Sequence, residues 1–219
     1  MIALYRRAAG VVSLLCVGIG TAYAGDTEAT LRMFLAETNV VTANFEQELR
    51  DANGQVVEVS YGSLLIARPN RLRWDYTEPD QVVMADGERL WLFDREVDQV
   101  TISDQTDSIA GSPAALLAGD AAALDEFRVT RSFREAGLDW LELQPVREDG
   151  DFSRIRIAFD GDSLAAMELA DQLEQRTQIR FADVATNVAI DDGRFTLDIP
   201  DYVDVVDNST SAADSNEPQ

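Results

Sequence analysis

The spacing of apolar residues changes several times along this chain, and each change marks an element. An apolar run, residues 8–19, comes first, behind Arg6 and Arg7. It is too short to span a bilayer as a permanent helix. Leu31, Phe34, Leu35 and Thr38 then recur at helical spacing between polar residues, which predicts one amphipathic helix over 27–40 with Asp26 or Thr27 as its cap. Beyond Val41 the period drops to two. Phe45, Gln47 and Leu49 alternate with polar and charged neighbours, Asn53-Gly54 supplies a hairpin turn, and Val57, Val59 and Tyr61 continue on the return strand.

The period of two then persists. Leu72-Trp74-Tyr76 is one alternating run, residues 82–85 precede an Asp86-Gly87 turn, and runs over 90–93 and 97–102 follow. Strands joined by such short turns are antiparallel neighbours in a meander. The rhythm breaks only between Thr106 and Leu124, where Ser112-Pro113 reads as a cap and first helical residue, and the Ala/Leu-rich stretch after it predicts one or two short helices. Strands resume over 127–133, 138–143, 155–159, 165–169 and 175–181, and a last one is expected over 194–199, ending at Pro200. From Val203 the chain has no periodicity and reads as an acidic, disordered tail.

The fold class is therefore mainly β (α+β): one curled antiparallel sheet of about ten strands with a few short helices. Such a sheet closes into a barrel or stays open as a half-barrel with an apolar concave face. The helices would lie across that opening. Periodicity does not distinguish residues that line a cavity from residues that fill a core.

Charge and composition then narrow the chemistry. Arg6 and Arg7, the apolar run and Ala22-Tyr23-Ala24 together form a secretory leader, so residues 1–24 are expected to be cleaved. Residues 25–202 make one domain and 203–219 the tail. Cys16, the single cysteine, falls inside the leader behind Leu14 and Leu15, where lipid attachment would need small residues, and is expected to be discarded. The 18 basic residues are all Arg against 40 acidic ones, a net charge of −22 that loss of the leader takes to −24. So acidic a chain is a poor partner for nucleic acid or an anionic membrane surface. With no His and no cysteine beyond the leader, Ser-His-Asp and Cys-His catalysis and the usual zinc sites are excluded; an oxygen-ligand calcium site survives in principle, but no metal site and no cofactor is assigned. Carboxylate chemistry survives as an enzymatic alternative: Asp75, Glu78, Asp80 and Asp86 lie near aromatic residues, as sugar-cleaving acid pairs do.

One block is more specific. Arg68-Pro69-Asn70-Arg71-Leu72-Arg73-Trp74-Asp75-Tyr76 and Asp86-Gly87-Glu88-Arg89-Leu90-Trp91-Leu92-Phe93-Asp94, with Gln99-Val100-Thr101 after them, resemble the LolA family of outer-membrane lipoprotein carriers. Upstream Asn44-Phe45-Glu46-Gln47 and downstream Gly111-Ser112-Pro113, Leu116-Leu117 and 195–200 resemble that family's first strand, middle lid helices and closing strand. The resemblance runs from about residue 27 to 206. It implies a non-enzymatic periplasmic carrier: an open half-barrel lidded by helices, holding lipoprotein acyl chains. Loading from an inner-membrane ABC-type releasing complex, delivery to an outer-membrane acceptor and a monomeric state are implied with it. Leu31, Leu35, Leu72, Trp74, Pro113, Leu116 and Leu117 would then face the cavity or form its lid. Arg68 matches the family arginine that latches the empty lid through backbone carbonyls. Ala114 and Ala115 depart from the bulkier residues expected in the middle lid, which implies a looser one. Binding or sensing of another acylated ligand, such as a glycolipid, is the alternative within the same fold.

Overall fold

The computed structural model describes residues 26–105, 113–119, 121–147 and 151–209. The leader, Cys16, Gly111, Ser112 and residues 210–219 lie outside the described residues. Helix α1 (Asp26–Glu37) leads into six strands, β1 (Val40–Arg50), β2 (Val56–Ala67), β3 (Arg71–Glu78), β4 (Gln81–Ala85), β5 (Arg89–Asp94) and β6 (Gln99–Asp104). Helix α2 (Pro113–Ala118) and a 3-10 helix (Ala121–Glu126) come next. They are followed by β7 (Phe127–Glu135), β8 (Leu138–Pro145), β9 (Phe152–Asp160), β10 (Ser163–Asp171) and β11 (Arg176–Thr186). A second 3-10 helix (Asp192–Phe195) and a short β12 (Asp204–Asp207) complete the described chain.

The strands form one sheet in the order β12-β6-β5-β4-β3-β2-β1-β11-β10-β9-β8-β7, curled but unclosed. Two meanders, β1–β6 and β7–β11, are joined where β1 pairs antiparallel with β11. This order explains the lid. The chain leaves β6 near one edge and re-enters at β7 on the other, so α2 and the first 3-10 helix must cross the sheet. They cross on the concave face, where α2 meets β2 and β3, while α1 rests on β7, β8 and the same 3-10 helix.

The alternation read from sequence divides the two faces. On β2, Leu64 and Ile66 belong to the concave cluster, and Leu65 and Ala67 to a second cluster on the convex side. On β3, Leu72 and Trp74 point inward while Arg71 and Arg73 point outward. Arg71 Nη1 donates to Asp192 at 3.0 Å, and Arg73 Nη1 donates to the Arg194 carbonyl at 2.8 Å. The R-L-R-W run thus lines the trough with one set of side chains and ties down the segment behind it with the other.

Three expectations are corrected. Residues 194–199 are not a strand: Asp191 caps a 3-10 helix over Asp192–Phe195, and the rest is irregular. Phe195, Leu197 and Ile199 alternate because they lie on the convex face of the sheet, against Leu65, Met84 and Val100, without pairing in it. The helix at the N-terminus stops at Glu37 and not at residue 40, because Val40 already pairs with Ala67. The segment from Val203 is ordered through residue 209. Val203 is buried, and Asp204–Asp207 pair in parallel with Gln99–Ile102 of β6. Two valines between aspartates carry too little apolar signal to mark a strand, yet a bare sheet edge supplies ready backbone partners.

Candidate functional site

The concave face and its two helices share one apolar cluster. Leu31 and Leu35 stand one turn apart on α1 and are fully buried, with Phe34 beside them edge-on to Phe159 at 5.6 Å. Leu72 and Trp74 reach up from β3, and Leu116 and Leu117 reach down from α2, which Pro113 opens. The structure therefore brings the apolar candidates Leu31, Leu35, Leu72, Trp74, Leu116 and Leu117 into contact with a single cluster. In this state the lid side chains fill the trough. What stays open beside them is a groove of about 390 Å³, lined by Leu35, Ala36, Asn39, Arg68, Pro69 and Ala121 among others.

Arg68 follows β2 directly and sits where the two helices end. Its Nε donates to the Gly119 carbonyl at 2.8 Å, Nη2 to the Leu117 carbonyl at 2.9 Å, and Nη1 to the Thr38 carbonyl. The guanidinium also lies 5.1 Å from the Phe34 ring centroid. Burial pushes its pKa down to about 10, so it stays charged at neutral pH. Helix C-termini expose carbonyls with no partner inside the helix, and a forked cation is well shaped to take several at once. The neighbouring backbone reinforces the junction: Arg68 N–H donates to the Asn39 carbonyl at 2.8 Å and Asn70 N–H to the Ala118 carbonyl at 3.0 Å.

Two supporting residues carry no signal in the sequence that would have singled them out. Asn187, just past β11, donates through Nδ2 to the Glu37 carbonyl at 3.1 Å and accepts from the Asn39 N–H at 2.7 Å, so it closes the end of α1. Buried Gln105 donates to the Asn70 carbonyl at 2.7 Å and accepts from Gly87 N–H at 2.9 Å, joining the β2–β3 turn to the β4–β5 turn. Neither stands in a motif. A left-handed Asn at the end of a strand marks a turn without naming its partner.

Further along the trough, Trp74 is enclosed by Phe45 at 5.3 Å, Phe181 at 6.4 Å and Tyr76 at 6.5 Å between ring centroids. Burial raises the Tyr76 hydroxyl to a pKa of about 12, and it donates to Gln47 Oε1 at 3.3 Å. Gly62 makes this packing fit: a Cβ there would stand 1.9 Å from the Asp75 carbonyl oxygen and 2.7 Å from Phe45 Cζ.

Three of the four acids considered for catalysis have structural partners instead. Asp75 is held by Arg73 Nε and Nη2 on the convex face, and Asp80 pairs with Arg95 at 2.7 Å. Asp86 accepts from Glu88 N–H, Arg89 N–H and Trp91 Nε1 at 2.8–2.9 Å. Glu78 ends β3 at an exposed position. Among the described residues no group of His, Cys, Asp and Glu is arranged to hold a metal ion. No described helix is long and apolar enough to cross a membrane.

Comparison with known proteins follows the same lines. The family profile described as outer membrane lipoprotein carrier protein LolA matches residues 36–198. An outer-membrane lipoprotein carrier protein of Methylococcus capsulatus is 34% identical over 199 residues, covering 90% of this chain and 96% of its own. One from Halorhodospira halophila is 37% identical over 203 residues, covering 91% and 94%. Among solved structures, an uncharacterized conserved protein from Thermus thermophilus superposes with a TM-score of 0.53 at 11% identity, over 83% of this chain and 99% of its own, which shows a shared fold.

Proposed function

Because this chain belongs to the family of outer membrane lipoprotein carrier proteins, we propose that its trough is a reversible site for lipoprotein acyl chains and that Arg68 is the latch of the empty, closed lid. It acts in the periplasm, by binding and release and not by catalysis. The observation that supports this reading best is the three-carbonyl grip of Arg68, which ties the end of α1 to the end of α2 above an apolar face. A cation serving only as a solvated strand end would have no reason to be half-buried against three backbone oxygens.

The energetics favour exchange over tight storage. Each acyl methylene moved from water into an apolar site gains about 0.8 kcal/mol. A bilayer offers the same gain, so the carrier has little advantage over the membrane it unloads. In the closed state Leu31, Leu35, Leu116 and Leu117 already fill the trough, and fully burying such a side chain is worth about 1.5–3 kcal/mol. An entering chain must displace them and break the Arg68 bonds, and it replaces their contacts with its own. Loading therefore draws on an outside source, an inner-membrane ABC-type releasing complex. Closure of the lid helps drive the chain out toward an outer-membrane acceptor. The carrier works as a monomer in this scheme.

The test is incubation with inner-membrane vesicles carrying a tagged lipoprotein, the releasing complex and ATP. ATP-dependent appearance of a soluble complex, formed with the acylated protein and not with the same protein lacking acyl chains, is the expected result. Absence of release, while another carrier is loaded in the same vesicles, would overturn the lipoprotein reading. Native mass measurement of the protein from its host would then look for a bound glycolipid.

A further inference from the structure

Resting on the acyl-chain reading above, we propose that Trp74 is the polar anchor of the trough. Its indole N–H donates to the ester carbonyl of the bound acyl chain, and this sets the chain's methyl end toward Arg68 and its head toward the β1–β2 hairpin. The starting observation is a buried donor with nothing to bond. Trp74 is 7% exposed, and its Nε1 has no hydrogen-bond partner among the described residues. An N–H removed from water without a partner is costly, so native proteins rarely leave one so. Trp140 Nε1 is in the same condition, but Trp140 lies in the small cluster with Ala158 and Ala166, stacked on Phe133 and away from the lid. Ser132 Oγ is also without a partner but is not part of the concave apolar cluster, so among the described residues only Trp74 combines an unused donor with a place in the cluster that the lid covers.

Strand register gives the trough a direction. Nearest the lid junction the inward positions are purely apolar: Ile66 opposite Leu72, then Leu64 opposite Trp74. One row further, Phe45 stands opposite Gly62, and Gly62 opposite Tyr76. Beyond that row polar side chains enter on β1 and β2, while Ile179, opposite Gln47 on β11, and Leu49 keep the rest of the wall apolar. Gln47 pairs with Ser60 and Leu49 with Glu58, Tyr76 donates to Gln47, and Ser60 Oγ donates to Glu58 Oε1 at 2.9 Å. Along the β1–β3 wall the sequence is thus hydrocarbon, one unpaired N–H, then hydrogen-bonding side chains. An acylated head has the same sequence in reverse: a polar stem, an ester carbonyl and a hydrocarbon tail. The ester carbonyl oxygen is the first acceptor met above the tail, and Trp74 is the first donor met above the apolar floor. The aromatic walls of Phe45, Tyr76 and Phe181 keep water from competing for the bond.

The test compares two synthetic lipopeptides of equal chain length, one with two acyl esters on the glyceryl group and one with the corresponding alkyl ethers. The wild-type protein should bind the ester about three- to tenfold more tightly, the worth of one net hydrogen bond. Trp74→Phe, which keeps the ring and deletes the donor, should bring the ratio close to one, mainly by weakening the ester. The Trp74 indole proton resonance should move downfield with the ester and not with the ether. Equal binding of both lipids by the wild-type protein with no such shift would overturn the anchor while leaving the acyl-chain reading intact. Failure to bind either lipid would overturn both. The wild-type comparison and the resonance need no variant, so poor folding of Trp74→Phe does not shield the proposal.

Discussion

If Arg68 is the proposed latch, removing it should make the carrier bind more tightly, not less. In Arg68→Leu the apolar stem is kept, and the bonds to the carbonyls of Thr38, Leu117 and Gly119 are lost. A hydrogen bond from a charged donor is worth about 1.5–3 kcal/mol, but three do not add fully. Arg68 itself lines the open groove, so water entering the space it vacates replaces part of what is lost, and the buried guanidinium no longer has to be dehydrated. The closed lid should therefore lose roughly 2–4 kcal/mol relative to the open one. If closure competes with ligand, apparent affinity rises by the same factor, about 30- to 700-fold at 1.4 kcal/mol per tenfold, until the lid is mostly open and the gain saturates. Titration with a fluorescent long-chain acyl probe, and displacement kinetics to show slower release, measure it directly. Arg68→Lys should fall between the two, since a compact ammonium cannot span three carbonyls. Unchanged or weaker binding by a well-folded Arg68→Leu would refute the idea that these bonds hold the site shut.

Three further outcomes follow from local geometry and charge. Gly62→Ala should destabilise the fold by about 3 kcal/mol or more, read as a lower urea midpoint, because the new Cβ would stand 1.9 Å from the Asp75 carbonyl oxygen, on a strand that cannot shift. An unchanged midpoint would show that β2 and β3 do not need this close approach. For Asp86, burial pushes the carboxyl up, but bonds from Arg89 N–H, Glu88 N–H and the Trp91 indole outweigh it and hold the pKa below its ordinary 3.8. The stabilisation is then present above pH 3.8 and lost as pH falls through the depressed value. Asp86→Asn should flatten that acid limb of the stability curve, and an identical acid limb in the variant would exclude this turn as its source. With 40 acidic residues against 18 basic, self-repulsion should be relieved by screening, so the melting temperature should rise from low to molar NaCl. A flat or falling trend would assign the acidity no stability cost.

Legibility in the sequence followed the range of each interaction. The alternation of β3 needed only neighbours two residues apart, so period alone separates Leu72 and Trp74 from Arg71 and Arg73. The last predicted strand failed for the same reason. Phe195, Leu197 and Ile199 alternate toward one surface, but that surface is the convex face of the sheet and not a strand partner. The exposed run Val56, Val57 and Val59 shows the converse, since β2 extends past β3 and leaves apolar side chains without a neighbour to cover them.

The sequence by itself determined which residues are strand and which are helix over most of the chain, the alternation along strands such as β3, the charge, and the lack of histidine. These are properties of composition and of contacts a few residues long. Only the tertiary structure decided that the lid side chains fill the trough and which carbonyls Arg68 bonds. The carbonyls that hold Arg68 lie 30 to 51 residues away, and Asn187 lies about 150 from the helix it closes. The resemblance implied carbonyl partners for Arg68, but a backbone carbonyl carries no side-chain identity, so the spacing of residues could not say that they are those of Thr38, Leu117 and Gly119.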